Sequence, residues 1–169
     1  MSKAASKVVG ESVEALVLEA VDELQEATVP DSWDGAAEDF WYDATPDIAL
    51  FASRSVPMVG ICVIESGQPV EIKSARVTIS DGTRTRFGRF NLTRRQHERL
   101  LANDGVYLFA VYADASDQVE IRGLLAVPAV IVEDDLRSTW YGVDGREDYW
   151  QLAASRLPID GLGGDRDAE

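Results

Sequence analysis

The stretch from Pro69 to Arg99 constrains the fold more than any other, because a strand pattern is followed there by concentrated positive charge. Val70 and Ile72 alternate with Glu71 and Lys73, which is typical of a strand with one apolar face. Glu71 and Lys73 therefore share the other face. From Lys73 onward the stretch holds eight of the chain's sixteen Lys and Arg and only two acidic residues, although the net charge of the chain is −14. An acidic protein thus gathers its positive charge around one Glu-x-Lys.

Length and composition predict one globular domain, since 169 residues with 46% apolar side chains and four Trp can bury a sizeable core. The single cysteine, Cys62, allows no internal disulfide and fits a reducing cytoplasm. No apolar run approaches the ~18 residues of a membrane span, and the N-terminus lacks the apolar segment of a secretory signal. We therefore expect a soluble cytoplasmic protein. Residues 1–10 are expected to form a flexible arm, residues 11–158 the domain, and residues 159–169 a disordered acidic tail.

The acidity of the chain is itself informative. Thirty acidic residues oppose three Lys and thirteen Arg, a composition that resembles the proteins of extreme halophiles; an acidic mesophilic protein is the alternative. Net negative charge normally disfavours a nucleic-acid partner. In molar salt, however, the Debye length is only ~3 Å, so distant acidic faces hardly affect a local basic patch. The basic stretch therefore favours a polyanion partner.

The spacing of apolar residues predicts a helix over about residues 13–27. Three short strands are expected next, at Ile48–Ala52, Val59–Glu65 and Pro69–Ser74, and a hairpin turn at Ser66-Gly67 joins the last two. Thr93 and Gln96 match a capping box ahead of a helix over about residues 94–102. A strand buried on both faces follows at Val106–Tyr112, then a strand at Val119–Val127 and helical segments near residues 130–138 and 146–156.

This order of elements, with Glu-x-Lys on the third strand, resembles the PD-(D/E)xK nuclease superfamily. The matching residues are Pro46-Asp47, Glu71-Ile72-Lys73, the helix that contains Gln96, and Val106–Tyr112. The resemblance covers about residues 11–112 and implies an α/β fold of the restriction-endonuclease-like class. In that fold a mixed β-sheet is flanked by helices around an α-β-β-β-α-β core. The activity it implies is metal-dependent hydrolysis of DNA phosphodiester bonds.

The resemblance also implies roles for individual residues. Asp47, Glu71 and the carbonyl of Ile72 would hold Mg²⁺ or Mn²⁺, and Lys73 would orient the attacking water and stabilise the transition state. Asp47, Glu71 and Lys73 are thus the expected catalytic residues. Three further residues are candidates for supporting roles: Asp43 (the alternative to Asp47), Gln96 and His97. Six arginines are expected to contact phosphates of the DNA: Arg76, Arg84, Arg86, Arg89, Arg94 and Arg95.

Each assignment has a structural alternative. A Glu-x-Lys can be a surface pair on a strand, although Lys73 is the only lysine after residue 7. Gln96 can be present only as the capping-box partner of Thr93, and His97 can be an ordinary residue on the surface of the helix. The predicted hairpin also places Cys62 opposite Glu71, where the family often has its metal-binding Asp, and a thiol does not replace a hard oxygen ligand.

Two other functions therefore stay open at the level of sequence. One is a catalytically degenerate nucleic-acid-binding protein of the same fold. The other is an acidic interaction module that works through its C-terminal segment, which is rich in Trp and Tyr. In the nuclease interpretation the partner is DNA of either strandedness, no membrane is involved, and a homodimer is compatible with the sequence.

Overall fold

A computed structural model describes residues 3–37, 40–49, 58–60, 64–80, 82–115, 118–142, 144–145 and 147–159. Its largest element is a six-stranded sheet. The strands of this sheet are β1 (Leu24–Glu26), β2 (Ala44–Pro46), β3 (Met58–Gly60), β4 (Val70–Arg76), β8 (Val106–Ala115) and β9 (Gln118–Pro128). They lie side by side in the order β1-β2-β4-β8-β9-β3. The helices are α1 (Lys3–Ala20), α2 (Arg94–Ala102) and α3 (Ala129–Ile131), which a π-helical turn continues over Val132–Leu136.

β4 lies inside this sheet. On one side it runs antiparallel to β2, with Ala44 opposite Val70. On the other side it runs parallel to β8, with Glu71 opposite Tyr107. The sheet is therefore mixed. With α1 before it and α2 between β4 and β8, the elements α1, β1, β2, β4, α2 and β8 follow the α-β-β-β-α-β order expected from the sequence.

Apolar side chains on the two faces of the sheet build two hydrophobic clusters, since neighbouring residues of a strand point to opposite faces. On β8, Leu108 belongs to the cluster that contains the α1 residues Val13 and Val17. Its neighbour Phe109 belongs to the other cluster, together with Leu100 of α2. The two helices thus cover opposite faces of the sheet.

Two smaller sheets flank the large one. β5 (Thr78–Ser80) and β6 (Thr85–Phe87) form an antiparallel ribbon. β7 (Arg89–Thr93) pairs with β10 (Tyr149–Ala153). Within the described residues, no helix is long and apolar enough to cross a membrane.

The N-terminal elements differ from the sequence prediction. α1 begins at Lys3 and ends at Ala20, whereas we expected a loose arm over residues 1–10 and a helix over residues 13–27. The helix ends early because Leu24 pairs with Pro46 in the sheet. The strand expected at Ile48–Ala52 is absent at Ile48 and Ala49, and residues 50–52 lie outside the described part of the chain.

The predicted hairpin and the predicted C-terminal helix are also corrected. β3 pairs in parallel with β9 at the edge of the sheet, so the expected hairpin of residues 59–65 with β4 does not form. The segment expected as a helix over residues 146–156 contains strand β10 and a short 3₁₀ turn, Ala154–Arg156. In that segment Trp150 and Leu152 are both buried, so the burial follows the two-residue period of a strand.

Candidate active site

Glu71 and Lys73 form an ion pair on the face of β4 that α2 covers. The ammonium of Lys73 donates a hydrogen bond to Oε1 of Glu71 and a second one, of 2.8 Å, to Oε1 of Gln96 on α2. Only 2% of the Glu71 side chain is exposed, against 18% for Lys73. An exposed surface pair would not have this burial.

The position of Gln96 corrects the predicted capping box. Thr93 is the N-cap residue of α2, but its side chain makes no capping hydrogen bond. Glu147 occupies the helix start instead, where its Oε1 accepts a 2.8 Å hydrogen bond from the backbone N–H of Arg95. Gln96 is therefore free to point its amide oxygen at Lys73.

Asp43, at the residue before β2, is the carboxylate that lies beside the Glu-x-Lys. Its backbone N–H donates to the carbonyl of Val70 (3.0 Å), and its Oδ2 accepts from the N–H of Ile72 (2.7 Å). The N–H and the carbonyl of a strand residue point to the same side. The carbonyl of Ile72 therefore also points to the edge of β4 where Asp43 lies.

Asp47 lies away from this edge. Its carboxylate is exposed and accepts a 3.3 Å hydrogen bond from Nε2 of Gln25. With Ala44 opposite Val70, the antiparallel register brings Asp47 level with Gly67, four residues or about 13 Å along the strand from Glu71. The Pro46-Asp47 dipeptide therefore lies at the end of β2 that is far from Glu71, and Asp43 lies at the end that is near it.

The predicted juxtaposition of Cys62 and Glu71 also needs correction. β4 is flanked by β2 and β8, so the residues beside Glu71 on the neighbouring segments are Asp43 and Tyr107. Cys62 itself lies outside the described residues. The strand pairing of β4 therefore places no thiol across from Glu71 and gives no support for a degenerate metal site.

The two carboxyl groups hold their protons more tightly than usual. Burial raises the pKa of Glu71 to about 8, with a further increase from the charge of Asp43, although the Lys73 ammonium opposes both. Burial likewise raises the pKa of Asp43, against the lowering effects of Lys73 and of the Ile72 N–H. For Lys73 burial lowers the pKa, but Glu71 and Asp43 raise it more, so the net direction is upward.

One oxygen of the site lacks a partner. Oε2 of Glu71 is buried and accepts no hydrogen bond, which is costly for an ionised carboxylate. Only the protonated carboxyl of Glu71 can hydrogen-bond to Asp43, an interaction that lowers the pKa of Asp43. No group of three or more His, Cys, Asp or Glu that could hold a metal occurs among the described residues. Mg²⁺, however, is usually bound through one or two carboxylates and several waters. Asp43, Glu71 and the carbonyl of Ile72 are hard oxygen donors that fit Mg²⁺ or Mn²⁺.

Glu14 is a neighbour of the site that the sequence analysis missed. It is half-buried on α1, and its negative charge raises the pKa of both Glu71 and Lys73. It follows Val13, which is fully buried, so it sits at the border of the apolar stripe of the helix. A charged residue at that border is the sequence signal that could have indicated it.

Three clefts meet at these residues. The ribbon cleft, of about 380 Å³, is lined by Lys73, Glu14, Arg76, Arg89 and Asn91 among others. The acidic cleft, of about 510 Å³, includes Asp43, Glu11, Glu14 and Glu26. The aromatic cleft, of about 420 Å³, is lined by Phe40, Trp41, Thr93, Arg95, Gln96, Arg99 and Glu147. A substrate can therefore approach the ion pair from more than one side.

His97 is a core residue, and neither the predicted helix surface nor the carboxylate site contains it. Only 2% of its surface is exposed. Nδ1 lies 3.0 Å from the hydroxyl of Tyr107, and Nε2 lies 2.9 Å from Oε2 of Glu133. Arg137 in turn binds both oxygens of Glu133. Burial lowers the pKa of His97, although Glu133 opposes this effect.

The expected phosphate-binding arginines divide into two groups. Arg84 and Arg86 are exposed on the β5–β6 ribbon, Arg89 is exposed at the start of β7, and Arg95 is exposed on α2. Arg94 instead forms ion pairs with Glu98 (2.9 Å) and Asp148 (3.3 Å). Arg76, which also lines the ribbon cleft, pairs with Asp114 at 2.9 Å.

The chain is similar to a known family. A family model described as a PD-(D/E)XK nuclease superfamily domain matches residues 1–158. Searches of curated proteins and of solved structures gave no match. Because the match spans almost the whole chain, this protein belongs to the PD-(D/E)XK nuclease superfamily. The expected restriction-endonuclease-like fold class is thereby confirmed. Members of the superfamily are nucleases that generally use divalent metals, and their substrates are nucleic acids.

Proposed function

We propose that this protein is a nuclease that hydrolyses DNA phosphodiester bonds with Mg²⁺ or Mn²⁺, and that Asp43, Glu71 and Lys73 are its catalytic residues. The observation that carries the proposal is the buried, unpartnered oxygen of Glu71, which lies in a site that also contains a second carboxylate and an ammonium. Asp43 takes the role that the sequence analysis gave to Asp47.

The residues suggest a division of labour. Asp43, Glu71 and the carbonyl of Ile72 would hold the cation, which when bound polarises the phosphate and makes its water a better nucleophile. Lys73 keeps its proton because the neighbouring carboxylates raise its pKa. An ammonium does not accept a proton, so Lys73 acts by orienting water and by stabilising negative charge on the phosphate. The amide of Gln96 holds the ammonium from the side of α2.

The decisive experiment compares two aspartates that lie at opposite ends of β2. Asp43→Asn keeps an oxygen that can accept the Ile72 N–H but removes a charged metal ligand, so cleavage of DNA in Mg²⁺ should fall at least ~10²-fold. Asp47→Asn is the matched control, and its rate should stay within about twofold of the unmodified protein. Rates are measured on single-stranded and duplex DNA at low and at molar KCl, since the acidic composition favours high salt.

Two results would count against this assignment. If both variants cut DNA as fast as the unmodified protein, Asp43 is not part of the site. An unmodified protein that binds DNA but cuts neither substrate with Mg²⁺ or Mn²⁺ supports the alternative of a nucleic-acid-binding protein without catalysis.

The exposed arginines near the ribbon are proposed to supply affinity for the DNA backbone. Replacing Arg84, Arg86 and Arg89 together by Ala should weaken binding. Each lost phosphate contact should also reduce the slope of log K against log salt by ~0.9 on duplex DNA. Arg122→Ala is the control, because Arg122 pairs with Glu120 on β9, at 2.9 Å. A triple variant with the unmodified slope excludes this surface.

A further inference from the structure

The aromatic cleft opens directly beside the catalytic ion pair. Gln96 lines this cleft and also accepts the hydrogen bond of Lys73, so one side chain connects the two. The cleft volume of about 420 Å³ lies within the ~300–1,000 Å³ typical of sites for small molecules. Such a space suits a group of the size of a nucleotide. It is far too small for a duplex.

Four aromatic side chains pack together in the segment that leads to Asp43: Trp33, Phe40, Trp41 and Tyr42. Of these, Phe40 and Trp41 line the cleft. The ring of Phe40 lies 5.2 Å from that of Trp33 and 4.7 Å from that of Tyr42, measured between centroids. All four residues are half-buried. Trp41 also packs against the hydrophobic cluster under α2, which fixes the position of the group.

The cleft carries positive charge as well. Arg95 and Arg99 line it, and the guanidinium of Arg99 lies 4.6 Å from the ring centroid of Trp33. The start of α2 does not offer a backbone phosphate site at Arg95, because Glu147 already accepts that N–H. Aromatic rings interleaved with arginines are the combination that binds single-stranded nucleic acid, where each stacked base contributes ~1–3 kcal/mol.

The ribbon cleft, which Lys73 itself lines, has a different character. Its polar lining includes Arg76, Arg89 and Asn91, which suit phosphate and sugar. Lys73 lines this cleft, and its bonding partner Gln96 lines the aromatic one. A strand that crosses the ion pair would thus have a backbone-binding region on one side and a base-binding region on the other.

We propose that the aromatic cleft is a base-stacking subsite, which takes an unpaired base next to the phosphodiester bond at Lys73 and makes single-stranded or frayed DNA the preferred substrate. This inference rests on the proposed nuclease function. In a duplex the bases are stacked and paired, so a base reaches the cleft only after it leaves the helix.

The test uses binding without cleavage, measured by fluorescence anisotropy in EDTA. Three labelled probes of equal length are compared: a thymidine strand, the same strand with abasic sites in its central positions, and a duplex. The unmodified protein should bind the thymidine strand more tightly than either other probe. Phe40→Ala should weaken binding of the thymidine strand by roughly 5- to 150-fold. It should leave the abasic strand nearly unaffected, because that strand keeps its phosphates.

Tyr141→Ala is the control variant, since Tyr141 is an aromatic residue with 51% of its surface exposed outside the cleft. It should bind all three probes as the unmodified protein does. Circular dichroism establishes that Phe40→Ala is folded, and Phe40→Trp should restore strand binding.

The outcomes separate the two proposals. If Phe40→Ala binds the thymidine strand normally, or weakens all probes alike, the stacking subsite is overturned, while metal-dependent cleavage that requires Asp43 still supports the nuclease. If the protein neither binds nor cuts any probe, both proposals fail. If it cuts only duplex DNA, the subsite alone fails.

Discussion

Glu71 and His97 are the buried polar residues of the described chain, each with 2% of its surface exposed, yet their surroundings differ. Both nitrogens of His97 have a partner, Tyr107 on one side and Glu133 on the other. Glu71 shares one oxygen with Lys73 and leaves the other without a hydrogen bond. The two residues are equally buried, but only His97 has a hydrogen-bond partner for each of its polar side-chain atoms.

The difference separates a polar cluster with complete hydrogen bonds from the cluster that we propose to be functional. Buried polar groups stabilise a protein only when their hydrogen bonds are complete, and an incomplete set is a cost that needs a reason. The His97 cluster ends in the Arg137–Glu133 ion pair and needs nothing from outside. The Glu71 cluster has two carboxylates with raised pKa values and one ammonium, and a bound cation would complete it.

The two clusters lie side by side on the face of the sheet that α2 covers. Tyr107 lies opposite Glu71 in the register of β4 and β8, and its hydroxyl binds His97. Burial is the main cause of the raised pKa of Tyr107, and the charges of Glu71 and Glu133 add to it. Tyr107 therefore separates the satisfied cluster from the unsatisfied one.

Activity should show the largest contrast between the clusters. Lys73→Ala should lower the cleavage rate in Mg²⁺ at least ~10²-fold, because it removes a charge that stabilises the transition state. His97→Ala, measured at a temperature where it is folded, should stay within about tenfold of the unmodified protein. Single-turnover rates on saturating DNA provide the comparison. A greater loss in His97→Ala than in Lys73→Ala would place His97 in the chemistry.

Stability should show the opposite order. His97→Ala leaves the buried Tyr107 hydroxyl without its partner and opens a cavity in the core, while Glu133 keeps Arg137. The free energy of unfolding should therefore fall by about 2–3 kcal/mol. Burial disfavours the ionised form of Glu71 even beside Lys73. Glu71→Gln removes that ionisation but keeps an oxygen for the Lys73 ammonium, so in the absence of metal it should be neutral or stabilising. Urea denaturation in EDTA measures both changes. Equal destabilisation by the two substitutions would contradict the proposed difference between the His97 cluster and the Glu71 cluster.

The pH dependence of stability should give the smallest and most specific signal. The pKa of Glu71 rises from 4.5 to about 8 on folding, so the folded state binds the extra proton, and this group lowers stability as the pH rises from about 4.5 to 8. Glu71→Gln should therefore gain Tm relative to the unmodified protein across that window. The pKa of His97 is lowered on folding, so its contribution is lost instead as the pH falls below about 6.5.

Calorimetric scans in EDTA from pH 5 to 9 check these directions. In separate scans with Mg²⁺ and no EDTA, the gain in Tm of Glu71→Gln should be smaller, because the cation binds the ionised carboxyl of the unmodified protein. A constant Tm difference at all pH values would show that Glu71 does not titrate in this range. Gln96→Ala serves as the reference, because it alters the partner of Lys73 without removing an ionisable group.

The sequence alone determined the elements whose signal is local. The alternation around Glu71 and Lys73 predicted their shared face, and the apolar run at Val106–Tyr112 predicted the buried part of β8. The helix over residues 94–102 was also correct. In each case the pattern repeats over neighbouring residues, so the period itself defines the element.

The tertiary structure decided which distant residues meet. The sequence analysis favoured Asp47 and kept Asp43 only as the alternative. The pairing of Ala44 with Val70 places Asp43 beside Ile72 and Asp47 four residues away. The partners of Gln96 and His97 likewise come from other strands and segments. Strand pairing and register depend on contacts between residues far apart in the chain, and a local pattern does not encode them.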